Sequence, residues 1–246
     1  MPADTTTCFS SLIVIVPAAG VGKRMAANCP KQYLTIDGKT ILEHTVNRLL
    51  AHPSISKVLL ALGEHDEYFA NTPLANNPHV ISVIGGEERV DSVLNALKTI
   101  DQGNNPWIMV HDAARPCVSH QDIDALILSC QLKNVGGLLA APASDTMKLS
   151  SSETVSTSSP QVSSTFDRRL LWHAYTPQMF PTKQLLSAIE QAKKDGFMMT
   201  DESSAMEHAG LNSQLILSSS DNIKITRPDD LALAAFILSK QAALAL

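Results

Sequence analysis

Lys23, Arg24 and Lys31 stand close together, and the first two end a run of small residues, Pro17-Ala18-Ala19-Gly20-Val21-Gly22. That run leaves an apolar stretch at residues 12–16, as a tight turn leaves a buried strand. Small residues let backbone amides approach a ligand, and the cations behind them supply charge, a pattern suited to holding phosphates. Three further groups could join it. Gly85-Gly86-Glu87-Glu88-Arg89-Val90-Asp91-Ser92 puts a glycine pair after a second apolar stretch, where backbone amides and Ser92 could read a flat polar base. His111-Asp112-Ala113-Ala114-Arg115-Pro116 puts an aspartate at a strand end, a natural oxygen ligand for Mg²⁺ or an ordinary turn cap. Asp221-Asn222-Ile223-Lys224-Ile225-Thr226 puts an acid and a base before a helix, where Asp221 could approach a metal or simply shape the turn.

The glycine loop matches neither of the two commonest phosphate motifs. Counting from Gly20, the third glycine of a dinucleotide fingerprint would fall on Met25. A Walker A loop would need glycine at Pro17 and Ser or Thr at Arg24. The chemistry suggested by the four groups together is phosphoryl transfer from a nucleoside triphosphate. When a second phosphate attacks the α-phosphorus, two anions must meet, and positioned Lys, Arg and Mg²⁺ would lower that repulsion. The attacking phosphate oxygen is already ionised, so His111 and His173 are not needed as bases. Gly-x-Ser-x-Gly is absent.

These groups need a scaffold. Residues 12–16, 57–62, 80–84, 107–110 and 137–141 are short and apolar apart from Lys57 and Ser82, as strands covered on both faces are. Helical periodicity fills the gaps. Residues 40–50 form one helix with Thr40 and Glu43 as a capping box, and residues 119–130 another with Ser119 and Asp122 in those roles. The alternation predicts an α/β fold, a doubly wound and mostly parallel sheet with ligands beyond the carboxyl ends of its strands. Later, residues 181–193, 201–208 and 226–240 read as helices, the last boxed by Thr226 and Asp229, and residues 215–217 as a strand. Residues 145–168 break the rhythm. Residues 147–149 and 154–157 could be the arms of a hairpin around 150–153, a unit too polar to be stable alone and suited to packing on a second subunit.

Size and charge narrow the function. The chain has 246 residues, 44% of them hydrophobic, and a formal net charge of −5. That excludes global disorder and disfavours charge-driven nucleic-acid binding. No apolar stretch is long enough to span a bilayer, and the polar start Met1-Pro2-Ala3-Asp4-Thr5 lacks the features of a signal peptide. Cys8, Cys29, Cys117 and Cys130 show no zinc spacing and read as cytosolic thiols, so a cytoplasmic location is expected.

Taken with Pro30-Lys31-Gln32-Tyr33-Leu34 and Thr200-Asp201-Glu202, the motifs above resemble the 2-C-methyl-D-erythritol 4-phosphate cytidylyltransferase family, within the nucleotidyltransferase superfamily. The resemblance runs from about residue 12 to residue 238 and leaves residues 1–11 as an extension. It implies a Rossmann-like nucleotidyltransferase domain at 12–246 with a dimerisation arm at about 145–168. It implies transfer of a cytidylyl group from CTP to methylerythritol phosphate, a step of the non-mevalonate isoprenoid pathway, with ribitol phosphate or another small polyol phosphate as the alternative acceptor. A non-enzymatic nucleotide-binding protein is the alternative of another class. Arg24, Lys31 and Lys224 would be catalytic. Pro17, Ala18, Ala19, Gly20, Gly22, Lys23, Gly86, Ser92 and Ala113 would contact the nucleotide. Asp112, Arg115, Thr146 and Arg168 would contact the acceptor, the last two in the partner's site of a homodimer, with Arg169 a near-equal candidate by sequence alone. Asp112 and Asp221 would attend Mg²⁺ or another divalent cation.

Overall fold

The computed structural model describes residues 11–20, 29–151 and 160–243. Strands β1 (Leu12–Pro17), β4 (Ile55–Leu62), β5 (Val80–Ile84), β6 (Trp107–Val110), β7 (Gly137–Pro142), β10 (Trp172–Pro181) and β11 (Gln214–Leu217) form a seven-stranded sheet in the order β11-β7-β10-β6-β1-β4-β5. Two small ladders stand apart, β2 (Thr35–Ile36) with β3 (Lys39–Thr40), and β8 (Met147–Ser150) with β9 (Val162–Phe166). Every pair in the main sheet is parallel except the two made by β10, which runs antiparallel to β6 and β7. The doubly wound, mostly parallel α/β class expected from the alternating pattern is therefore the observed one.

Helices cover both faces. On one side α1 (Ile41–Leu50) and α3 (His120–Lys133) pack Val46, Leu49, Ile123 and Leu126 against Val14, Val16, Val58 and Met109. On the other, α2 (Arg89–Lys98), α4 (Thr182–Lys194) and α5 (Glu202–His208) pack Val93, Leu97, Leu185, Ile189 and Met206 against Ile15, Leu59, Ile108 and Phe180. The alternation of Val14 and Val16 with Ile13 and Ile15 between the two sets is the period of a strand buried on both faces. A third, smaller cluster joins Ile36, Ile41, Ala114, Ile225, Ala234 and Ile237, and so fastens α6 (Asp229–Ala243) to the segments around Lys31, Asp112 and Lys224.

The capping boxes differ in detail. Thr40 and Glu43 cap α1 reciprocally. On α3 only half the box forms: Ser119 accepts from the Asp122 amide, and Asp122 does not reciprocate. On α6 the acid is Asp230, not Asp229; its Oδ2 accepts from the Thr226 amide at 2.7 Å and the Arg227 amide at 2.8 Å. That turn holds residues 226–228 outside the helix, which starts later than the sequence pattern suggested.

The expected hairpin needs a larger correction. Its second strand is Val162–Phe166, pairing Met147 with Phe166 and Lys148 with Thr165. Residues 154–157, proposed for that role, lie outside the described residues. In the main sheet, the strand missed altogether is β10. Its outer half, at Trp172 and His173, is exposed and polar in pattern, and its inner half is a buried run, so no single period marks it. With Trp172 opposite Pro142, β7 and β10 leave the sheet side by side and the β8–β9 hairpin extends beyond them.

Candidate active site

All the motifs meet at one edge because of strand direction. Strands β1, β4, β5, β6, β7 and β11 end there. The loops after β1, β5, β6 and β11 carry Pro17 to Gly20, Gly85 to Glu88, His111 to Pro116 and Ser218 to Ile225. The antiparallel β10 brings its opposite half, with Thr176, to the same edge.

A hollow at this edge is lined by the backbone of residues 17–20, by Lys31, Gln32 and Gly86 to Arg89, and by Asp112, Ala113, Ala114 and Lys224. Two hydrogen bonds set the first loop: the Ala18 amide donates to Ala61 O at 2.8 Å, and Gln32 Nε2 donates to Ala18 O at 2.8 Å. Gln32 is buried, so the residue beside the catalytic candidate Lys31 has a structural duty. The second loop is held by the Gly85 amide on Leu62 O at 2.7 Å. A Cβ on Gly85 would stand 2.7 Å from Ala19 Cβ, and one on Gly86 2.2 Å from Asp91 Cβ. The two loops therefore touch, and only glycine allows it.

Asp112 is the electrostatic centre. Its Oδ1 accepts from Arg89 Nε at 3.0 Å; its Oδ2 lies 2.8 Å from Lys224 Nζ and 3.5 Å from Arg115 Nε. Burial alone would raise its pKa, but Arg89, Lys224 and Arg115 outweigh that and hold the carboxyl well below the usual range. Arg89 turns the rest of its fork to Glu202, at 2.7 and 3.1 Å. The Glu202 side chain is 1% exposed and the Arg89 side chain 29%. Burial works against the Arg89 charge, and the two carboxylates overcome it, so its pKa moves up.

A backbone lock sits behind Asp112. The register of β10 against β7 breaks between Ala174 and Gln178, freeing Thr176 to face β6. Thr176 Oγ1 accepts from the Asp112 amide at 3.0 Å and contacts His111 Nδ1 at 3.0 Å. His111 Nε2 meets the Arg115 carbonyl at 3.0 Å. A carbonyl only accepts, so Nε2 carries the ring proton and Nδ1 accepts from the Thr176 hydroxyl. Burial pulls the His111 pKa down to about 4 and keeps the ring neutral. His111 is thus a buried strut, as the phosphate-attack chemistry anticipated in giving it no basic role.

A second hollow opens on the other side of the same ion cluster. Arg89, Asp112 and Lys224 line both, and the second adds Arg115, Tyr175, Thr176 and Asp201. Arg115 Nη1 donates to Asn222 O at 2.6 Å, and its guanidinium lies 4.9 Å from the Tyr175 ring centroid. Lys31 Nζ reaches Ile225 O at 3.3 Å, which ties the two catalytic-candidate lysine segments together.

Some expected residues lie elsewhere. Gly22, Lys23 and Arg24 fall outside the described residues. Ser92 is buried behind the second loop, its hydroxyl used on the Gly86 amide at 3.0 Å and Glu88 O at 3.3 Å, so it shapes that loop and does not line the hollow. Asp221 lines neither hollow; its Oδ2 pairs with Lys240 at 3.2 Å. Thr146 and Arg168 sit exposed at the base of the arm, with Arg168 donating to Ser144 O, and neither lines either hollow within one chain. Arg169 is turned onto Asp167 at 2.6 Å, which sets it apart from Arg168. Arg89, Glu202 and Thr176 were missed as site residues. Glu202 read as a helix start, and its partner is distant in sequence.

The donor set does not form a protein cage for a metal. Among the described residues no three His, Cys, Asp or Glu side chains converge, and both Asp112 oxygens already face cations. This arrangement fits a divalent cation carried chiefly by phosphate oxygens and water, with at most Asp112 added from this chain. Cys117 and Cys130 are remote thiols that burial pushes up to about 12.

Comparison with known proteins agrees with this geometry. The family model described as 2-C-methyl-D-erythritol 4-phosphate cytidylyltransferase matches residues 12–240. The chain is 58% identical to a protein of that name from Colwellia psychrerythraea, over 94% of this chain and 96% of the relative. It is 50% identical to the one from Vibrio vulnificus, over 95% and 97%. Among solved structures it is similar to the Francisella tularensis enzyme of that name, with a TM-score of 0.77 and 35% identity over 93% of this chain and all of the other.

Proposed function

The chain belongs to the 2-C-methyl-D-erythritol 4-phosphate cytidylyltransferase family, and from that premise we propose how its residues divide the work. The enzyme transfers the cytidylyl group of CTP to methylerythritol phosphate, giving 4-diphosphocytidyl-2-C-methyl-D-erythritol and diphosphate. An oxygen of the acceptor phosphate forms a bond to the α-phosphorus as the bond from that phosphorus to the bridging oxygen of diphosphate breaks. No proton needs to leave the attacking oxygen.

The observation that carries the division is the shared wall. Arg89, Asp112 and Lys224 border both hollows, so ligands in the two would meet at that cluster. The hollow with the residue 17–20 backbone, Gly86 and Ala113 takes the nucleotide, its base against backbone and its phosphates towards Lys31 and Lys224. Gly22, Lys23 and Arg24 lie outside the described residues, and the family resemblance alone assigns the first two to the nucleotide and Arg24, with Lys31, to the phosphorus. Arg115 faces the second hollow and with Asp112 orients the acceptor. Thr146 and Arg168 complete the acceptor site from the partner arm of a homodimer. Mg²⁺ bound to the triphosphate would offset its charge, with Asp112 the residue placed to hold it. Asp221 lines neither hollow and pairs with Lys240, so a part for it in holding the metal rests on the resemblance alone. Among the described residues no helix is long and apolar enough to cross a membrane. The free thiols of Cys29, Cys117 and Cys130 favour a cytoplasmic enzyme, acting here on two small substrates.

An acceptor panel tests the assignment. With CTP and Mg²⁺, diphosphate release is expected with methylerythritol phosphate and not with ribitol phosphate. The reverse preference would overturn it.

A further inference from the structure

Away from the site, a hollow of about 260 Å³ is lined by Lys39, His44, Asn47, Arg48, His120 and Leu238, and by no acidic residue. In a chain whose net charge is −5, an acid-free basic hollow runs against the average. None of its lining residues lines the nucleotide hollow. Three separate elements supply the nitrogens: Lys39 comes from β3, His44 and Arg48 from α1, and His120 opens α3.

Arg48 indicates what belongs there. Its guanidinium is partly buried, and it donates to the neutral Gln241 Oε1 at 2.8 Å. No carboxylate of the described residues lies within ion-pair distance of it, and burial pulls its pKa down. A cation withdrawn from water without a counter-charge is costly, and a bound anion would remove that cost. The rings beside it are oriented. His44 Nε2 lies 2.8 Å from Ile36 O, and His120 Nε2 lies 2.9 Å from Arg48 O. Carbonyls accept, so both rings donate from Nε2, and neither neutral ring offers the hollow a donor from Nδ1, which leaves Arg48 and Lys39 as the groups that would hold an anion. Lys39 has no ion-pair partner there either.

We propose that this hollow is a second anion site, for a phosphate-class oxyanion held by Arg48 and Lys39 between α1 and α6. Two sources share that chemistry: the free diphosphate the reaction releases, and the phosphate tail of a nucleotide. The hollow adjoins the segments that carry the catalytic lysines. β3 follows the Lys31 turn, and Leu238 lies on the helix after Lys224, so a bound anion would brace the outer ends of both.

Calorimetric titration of the full chain tests this. Sodium diphosphate is titrated into the unaltered chain, into Lys31→Ala/Lys224→Ala, which weakens the catalytic hollow, and into that double variant with Arg48→Gln or Lys39→Glu added. Binding is expected to persist in the double variant and to weaken about tenfold or more on adding either substitution. Lys39→Glu guards against a local rearrangement peculiar to Arg48→Gln, and thermal melts confirm folding. CTP competing for the persisting site identifies a nucleotide tail; no competition identifies free diphosphate. Loss of all binding in the double variant, or undiminished binding with both added substitutions, overturns the proposal. Neither result would touch the acceptor assignment, which the diphosphate-release panel reads separately.

Discussion

The ion cluster and the arm are two halves of one proposed site built on opposite physical plans. At the cluster, Arg89 joins Asp112 to Glu202, Lys224 and Arg115 close on the same aspartate, and Thr176 pins its amide, so each charge has a partner before any ligand arrives. At the arm, Met147, Leu149, Val162 and Phe166 are exposed, and the ladder touches little besides itself. The difference teaches where preorganisation was invested. A centre that must neutralise phosphates has to be in place beforehand, because reorganising dipoles during the reaction forfeits the gain. The docking proposed for the arm would cover the apolar side chains that one chain leaves exposed.

The sharpest way to break the contrast is to cut the cluster. Arg89→Met leaves Glu202 buried with no other partner among the described residues, and is expected to destabilise the chain by about 3–5 kcal/mol. Adding Glu202→Leu should restore part of that, since a buried pair replaced by apolar groups is often nearly neutral. Denaturant unfolding of the single and double variants measures both. An unchanged midpoint in Arg89→Met would mean that the cluster is not prepaid structure.

Next in size is a change that should cost activity far more than stability. Lys31→Met removes a donor from the nucleotide hollow while its neighbour Gln32 still holds the loop. Turnover is expected to fall by roughly a hundred- to a thousandfold, about 2.7–4 kcal/mol in transition-state stabilisation, while stability falls by about 1 kcal/mol at most for the lost bond to Ile225 O. Single-turnover kinetics separate that loss from slower product release.

The cluster's backbone lock carries a pH signature that the arm lacks. His111 titrates at about 4 in the folded chain against an ordinary 6.5, so below 6.5 the unfolded chain takes up the proton first. Unfolded chains then bind more protons than folded ones, and stability falls as pH drops from 6.5 to 4, by roughly 3 kcal/mol in all. His111→Asn should flatten that slope whatever its effect at neutral pH. Persistence of the slope in the variant would assign it to another group. The depressed carboxyl of Asp112 acts in a lower window, below the usual carboxylate range.

The contrast also explains what was legible from residue order. The strand at residues 107–110 and the capping box of α1 could be read because their signals are local: a continuous apolar run, or Thr40 three residues before Glu43; the strand at 80–84 was read too, but it is a largely exposed edge and not covered on both faces. The residue 17–20 loop, Lys31, Asp112 and Lys224 were found through motifs, and one sheet edge gathers the described ones. What escaped depended on distance. Glu202 matters through Arg89, and Thr176 through a register break whose partner strand is β7. Ser92 and Asp221 had the right residue type, but a hydroxyl already bonded to Gly86 and a carboxylate already paired with Lys240 cannot be told from free ones without coordinates. The hairpin's second strand was misplaced because Ser and Thr crowd the whole insertion, so alternation gives no register there.

The smallest expected effect tests the arm itself. Arg168→Ala removes an exposed cation whose one described bond is to Ser144 O, so stability should hold and the nucleotide's KM should stay where it is. If the arm serves the acceptor, the KM for methylerythritol phosphate should rise about tenfold, the worth of one charge-assisted contact. Mixed dimers then decide whose site it serves. A subunit lacking Lys31 still offers an intact arm, and a subunit lacking Arg168 still offers an intact cluster. Pairing them should restore one competent site per dimer if the arm crosses over. If it folds back on its own chain, the Arg168→Ala subunit keeps its raised KM and its partner stays inactive. Acceptor KM measured on isolated heterodimers separates the two outcomes, because a crossing arm returns it to the value of the unaltered enzyme.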